Sequence, residues 1–252
     1  MNSLTTSNTR ESFIVRNNIL SEHDRGSMVA KRLLWLLGKT DLSEVRQILD
    51  VGSRDIGQSI ELATIFPHAR IDAFEPVPDS YNMCVQRHAI LPDQLRKRIY
   101  VRHIALSDAA GQIPFYPVDA VASSVPNVGA SSMFRFKDGL NGTPFGQHLV
   151  QREIMVQADT LDNWCARQGV TDIDIMWVDV QGAELLVFKG GLHMLNHTKV
   201  IMTEVGLKPY YEGHTLKADI DALLANHGFY ELKNAFELNG FDYEANTIYI
   251  RQ

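Results

Sequence analysis

The chain has 252 residues, 45% of them hydrophobic and 21% charged, which excludes a disordered tract or a coiled coil and suits one or two globular domains. Twenty-four basic against 30 acidic residues leave a net charge of −6, so a generic phosphate-tracking, nucleic-acid-binding surface is not expected. Two cysteines, Cys84 and Cys165, form no CxxC pair and read as buried thiols of a reducing compartment rather than a disulfide framework or zinc site.

Residues 1–12 are Ser/Thr/Asn-rich and expected to fray, and Ser27–Leu37 carries helical periodicity closed by Gly38. The apolar run Leu33–Leu37 is far shorter than the ~20 residues a membrane span needs, and the polar opening lacks the order of a signal peptide. The expectation is a soluble, cytoplasmic protein.

From there β-type runs alternate with helical ones. Strands are predicted at Gln47–Val51, Arg70–Phe74, Ile99–Ile104, Ile173–Val180 and Val200–Val205. Helices are predicted at Gln58–Phe66, Pro78–Ile90, Leu161–Gln168 and Ala183–Leu195. This spacing implies βαβ units and a largely parallel sheet. A helix over Leu216–Asn226 is followed by two β-type runs, Phe229–Lys233 and Thr247–Arg251, expected to be antiparallel neighbours. Residues 117–150 break the alternation. They hold four Gly, four Ser and three Pro, yet also Met133, Phe134, Phe136 and Phe145, and read as a lid or substrate-binding insertion. Residues 1–45 form a tail and helix; 46–252 form the single domain.

The segment Ile48-Leu49-Asp50-Val51-Gly52-Ser53-Arg54-Asp55-Ile56-Gly57 runs from a strand through a glycine-bracketed turn into a helix. Gly52 permits close backbone approach to a ligand, and the helix start offers unpaired N–H groups. The next strand ends in Phe74-Glu75-Pro76, where an acid can accept the hydroxyl hydrogens of a ribose. A dinucleotide fold would place glycines and a pyrophosphate here. Asp50 and Asp55 would repel phosphate and suit an ammonium and a sulfonium, which favours S-adenosylmethionine over NAD. A nicotinamide-dependent oxidoreductase and a non-catalytic scaffold are the alternatives.

These residues, with Ala73–Pro76, Ala105–Asp108, Thr160–Asp162, Val178–Glu184 and Phe188–Gly191, resemble the FkbM family of S-adenosylmethionine-dependent methyltransferases over about residues 46–251. The 178–191 block is the specific one. The resemblance implies an α/β, Rossmann-like class I fold: a seven-stranded, mostly parallel sheet of order 3-2-1-4-5-7-6, with one antiparallel strand and helices on both faces. It implies O-methylation, commonly of sugars or small secondary metabolites. The acceptor is then a small molecule or glycan, with a polyketide or other natural product as the alternative. A homo-oligomer is compatible with this reading. Where the family usually has an acid in an Asp-x-Glu-Gly run, this chain has Gln181. An essential divalent cation is therefore not favoured, although an amide oxygen can ligate one.

Ligands of open α/β sheets bind beyond the carboxyl ends of the strands. On that placement Asp50, Gly52 and Ser53 are expected to hold the methionine part of the cofactor, Glu75 and Pro76 the ribose, and Ser107 and Asp108 to lie near adenine. Asp179 faces the acceptor and is the first candidate for general base, with His148 and His214 as competitors. Glu204, Tyr210 and Tyr211 are candidates for the acceptor site, and Glu184 for capping the next helix or bonding a nearby backbone group.

Overall fold

The computed structural model describes residues 44–124, 127–137, 149–232, 237–238 and 243–251, the pair 237–238 by backbone only. The predicted N-terminal helix and His148 lie outside the described residues.

The main sheet is built from β1 (Gln47–Val51), β2 (Arg70–Phe74), β3 (Ile99–Arg102), β7 (Ile173–Val178), β8 (Thr198–Gly206), β9 (Phe229–Glu231), β10 (Glu237–Leu238) and β11 (Glu244–Arg251). Its order is β3-β2-β1-β7-β8-β11, and both β9 and β10 pair with the outer edge of β11. The first five strands are mutually parallel, and β11 runs antiparallel to β8. This is the expected order and the expected single antiparallel strand. One difference is local: the edge position is divided between two short strands, because β10 falls in what the sequence presents as a connecting loop.

Strand alternation explains the two-sided core. Side chains on successive residues point to opposite faces. Ile48, Ile175, Trp177, Val200 and Met202 pack on one face with Leu62, Ala63 and Ile65 of α1 (Gly57–Ile65). Leu49, Met176, Val178 and Ile201 pack on the other. There they meet Leu161, Trp164 and Cys165 of α4 (Leu161–Gln168), Val187 and Phe188 of α5 (Glu184–Lys189), and Ile220 and Leu224 of α7 (Lys217–Asn226). Strands buried on both faces are the signature of a parallel sheet covered by helices. Between β2 and β3 lie α2 (Pro78–Ala89) and the short α3 (Asp93–Arg96). Cys84 and Cys165 are both buried and unpaired. Among the described residues no helix is long and apolar enough to cross a membrane.

Two features depart from expectation. The predicted helix Ala183–Leu195 is α5 and a separate α6 (Leu192–Leu195), broken at Gly190-Gly191. A Cβ at Gly190 would lie 2.0 Å from the Ser107 carbonyl oxygen, so the chain passes there only as glycine. The predicted strand Ile99–Ile104 ends at Arg102, and a second sheet follows. In it β4 (Ala105–Leu106) runs parallel to β6 (Ile154–Asp159), and β5 (Gly111–Phe115) antiparallel to it. The 117–150 segment leaves from β5 and returns to β6. Its described parts are tied to neighbours by single bridges, Tyr116–Ser132, Val118–Gln151 and Phe136–Tyr211.

Candidate active site

Three strand ends are stitched into one floor. The N–H groups of Gly52 and Ser53 donate to the Phe74 carbonyl (3.1 and 2.9 Å), and Asp179 N–H donates to the Val51 carbonyl (2.9 Å). Gly52 has φ +91°, and a Cβ there would sit 1.8 Å from the Asp179 carbonyl oxygen. Above this floor opens a cleft beyond the strand ends, where ligands of open α/β sheets bind. It is walled by Gly52 and Arg54, Glu75–Val77, Ile104–Leu106, Phe115 and Asp179–Gln181. Val128, Gly129, Ser131 and Met133 of the 117–150 segment complete it.

Asp50 lies behind this wall, fully buried. Its Oδ2 accepts the Ser53 hydroxyl (2.8 Å) and the Ser59 hydroxyl, while Oδ1 has no hydrogen-bond partner among the described residues. Burial pushes its carboxyl up to about 6 against the pull of the two serines. An unpartnered buried carboxylate oxygen is costly, and a cation nearby relieves it. Ser53 is likewise buried and holds the loop; Gly52 is the part of this trio that reaches the cleft.

Glu75 and Pro76 line the cleft. Glu75 Oε2 accepts the Arg54 N–H (3.0 Å) and Oε1 the Val77 N–H (2.8 Å), which fixes the carboxylate and leaves each oxygen acceptor capacity. Burial pushes Glu75 up to about 7. Ser107 and Asp108 do not reach the cleft: Ser107 is buried with its N–H on the Asp159 carbonyl, and its hydroxyl donates to Asp108 (3.3 Å). The wall beside them is formed by Ile104, Ala105 and Leu106.

At the other end, Gln181 organises four groups. Its Nε2–H₂ donates to Asp179 Oδ1 (2.9 Å) and to Glu204 Oε2 (2.7 Å). Its Oε1 accepts the Tyr211 hydroxyl (3.1 Å), and its carbonyl accepts the Ser132 hydroxyl (2.7 Å). Gln181 holds φ +54°, an uncommon backbone state for a non-glycine residue and one often found at functional sites. Burial raises the Asp179 carboxyl above its ordinary value, opposed by the Gln181 amide, Arg54 and a hydrogen bond with Glu204. Glu184, fully buried, accepts the N–H groups of Val180 (3.1 Å) and Gly182 (3.2 Å) through one oxygen. It bonds a nearby backbone group, as expected, and holds the turn that carries Gln181.

His214 does not present a free base. Its Nδ1 accepts the Tyr210 N–H (3.0 Å), and its ring is boxed by Gly182 and Gly206, where added Cβ atoms would lie 2.8 and 2.3 Å from the imidazole. Burial pulls it down to about 4. A lone pair already engaged by a backbone N–H cannot take a substrate proton. Tyr210 is buried and stacks on Tyr243 (4.8 Å), whereas Tyr211 is tied through its hydroxyl to Gln181 and the Ala130 carbonyl. Asp55 is not a cleft residue: it accepts the Gly57 N–H (2.9 Å) at the start of α1 and pairs with Arg87 (3.0 Å). That correction follows from the turn, where Arg54 at φ +50° and Ile56 at φ +57° reverse the backbone between Gly52 and α1.

Sequence reasoning passed over Arg54, although a basic residue within the Gly52–Gly57 turn is its visible signal. The apolar wall from Phe115, Val128 and Met133 had no comparable signal, because those positions converge only in three dimensions.

The sheet order, the glycine turn and a cleft beyond the strand ends define a Rossmann-like methyltransferase fold. The solved magnesium protoporphyrin IX methyltransferase of Synechocystis PCC 6803, with bound SAM, shares it at a TM-score of 0.51 and 13% identity, over 100% of each chain. A family model, the methyltransferase FkbM domain, matches residues 50–230, and the chain belongs to that family of methyltransferases. Relatives include the 2-O-methyltransferase NoeI of Sinorhizobium fredii (strain NBRC 101917 / NGR234), 31% identical over 77% of this chain and 76% of that protein. The methyltransferase sdnD of Sordaria araneosa is 28% identical over 72% of this chain and 73% of that protein.

Proposed function

We propose that the protein moves a methyl group from S-adenosylmethionine to a hydroxyl of a small molecule, with a sugar or glycan hydroxyl as the first acceptor class. Residues 46–252 act as one domain in this reading, and 117–150 is its acceptor-side lid. The observation that carries it is the cleft itself, with the Glu75 carboxylate at one end, Asp179 at the other, and the unpartnered Asp50 oxygen beneath the loop between them. This donor set fits a ligand with a ribose and positive charge, and the likeness to the 2-O-methyltransferase NoeI favours oxygen as the methylated atom. When bound, S-adenosylmethionine supplies an electrophilic methyl group on a sulfonium.

The remaining work falls to this chain. Gly52 lets the loop lie flat under the ligand, and Glu75 accepts from the ribose hydroxyls. Asp50 offsets positive charge from below. Asp179 accepts the acceptor hydroxyl's proton, held in orientation by Gln181. Holding nucleophile and methyl in line contributes several kcal/mol, on the order of the larger intramolecular effects. The proton-accepting form of Asp179 is the carboxylate, so the rate rises as pH passes its raised value. Transfer of labelled methyl to a panel of sugars and natural-product alcohols tests this. Asp179→Asn is expected to lower kcat by about 10²–10⁴ while S-adenosylhomocysteine affinity stays within about threefold. Unchanged kcat in that variant contradicts the assignment of the base.

A further inference from the structure

Against the effect of burial, the Arg54 guanidinium lowers the Glu75 and Asp179 carboxyls by its charge, and its backbone N–H holds Glu75. Every other charged side chain lining the described cleft, Glu75 and Asp179, is acidic, and Arg54 is the only cationic one there. The nearby arginines are engaged: Arg87 with Asp55 (3.0 Å), Arg152 with Asp79 (2.9 Å), and Arg102 with Asp72 (2.6 Å). The Arg54 guanidinium makes no hydrogen bond to a described residue, and the side chain is exposed to the cleft.

Its direction is set by the backbone. The N–H is held on Glu75 Oε2 (3.0 Å), and φ is +50°. From there the side chain runs up the cleft to the 117–150 segment, where a Cβ at Gly129 would meet Nη1 at 3.0 Å. A planar fork of donors in this position matches a carboxylate, which it can bond through two parallel N–H groups.

On the reading that the cleft holds S-adenosylmethionine, we propose that Arg54 is the anchor for the carboxylate at the amino-acid end of that ligand. The charges are then complementary: Asp50 offsets the positive charge of the ligand, and Arg54 faces its carboxylate. The site selects an adenosine ligand bearing a complete amino acid over one that ends in an amine alone. Because the same guanidinium lies beside the open face of Gly129, capture of the carboxylate also holds the arm beside that stretch of the cleft wall.

Calorimetric titration of the full chain with S-adenosylhomocysteine and with its decarboxylated counterpart tests this without relying on turnover. The wild type is expected to bind S-adenosylhomocysteine about 10- to 100-fold more tightly than the decarboxylated compound. Arg54→Ala is expected to lose most of that advantage while binding the decarboxylated compound within about threefold of wild type. Arg54→Lys should recover part of it, a rescue that a merely structural role for the arm would not produce. Circular dichroism and the melting temperature of the unliganded variants confirm folding, and Arg54→Gln, which keeps the length of the arm, stands in if the alanine variant is unstable. Equal losses for both ligands, or none for either, overturn the anchor while leaving the proposed function standing. Failure of both ligands to bind the wild type overturns the two together.

Discussion

At Gly52 two demands coincide: a backbone at φ +91° and an approach to the Asp179 carbonyl that no Cβ allows. Gly52→Ala must move one strand end away from the other, and the expected loss is roughly 2–4 kcal/mol of stability, measured by chemical denaturation. Wild-type stability in that variant would mean that the loop is free to shift. Gln181 carries a different prediction. Its amide occupies the space between Asp179 and Glu204 that a cation would otherwise bridge, so methyl transfer is expected to continue in EDTA. Loss of activity with EDTA and its return with magnesium would contradict that. Gln181→Glu places three carboxylates together and is expected to move the rising limb of the pH–rate profile upward, because like charge favours the protonated form of Asp179.

Among the elements, the turn between β7 and α5 depends on Glu184, which burial pushes up to about 8 while its second oxygen has no partner among the described residues. Its folded value lies above the ordinary carboxyl value of 4.5, so the folded state binds more protons than the unfolded chain between about pH 4.5 and 8. Stability therefore falls as pH rises through that window. Glu184→Gln is expected to flatten the dependence, read from denaturation midpoints at pH 5 and pH 8. An unchanged slope would mean that Glu184 does not titrate in the folded protein. The strands that frame this turn were legible in the sequence. Ile173–Val180, which the structure ends at Val178, and Val200–Val205 read as strand-length runs, and Gly52 and Glu75 mark where two strands release their ends. The small β4-β6-β5 sheet was not. β4 has two residues, β5 is interrupted by Pro114 and polar Gln112, and only β6 shows alternation, with Val156 and Ala158 inward and Met155 and Gln157 outward. The site was legible in its chemistry more than in its contacts. Glu75 and Asp179 stand at the cleft as expected, whereas Asp50, Ser53, Ser107 and His214 are claimed by local hydrogen bonds that no spacing reveals.

In the whole molecule the cleft lies between the strand ends of the main sheet and residues 128–133. Val128, Gly129, Ser131 and Met133 contribute part of the wall, so a ligand in the cleft would rest against these residues. Limited proteolysis within residues 117–150 is expected to slow several-fold in saturating S-adenosylhomocysteine, because ligand binding stabilises the closed arrangement. Equal cleavage rates with and without ligand would count against a lid. The cleft, with acidic groups around it and no glycine-rich phosphate cradle, suits a positively charged adenosine cofactor rather than a dinucleotide. Calorimetric titration of the wild-type chain tests it most directly: S-adenosylhomocysteine is expected to bind with micromolar affinity and NAD not measurably, and tight NAD binding without S-adenosylhomocysteine binding would contradict the account.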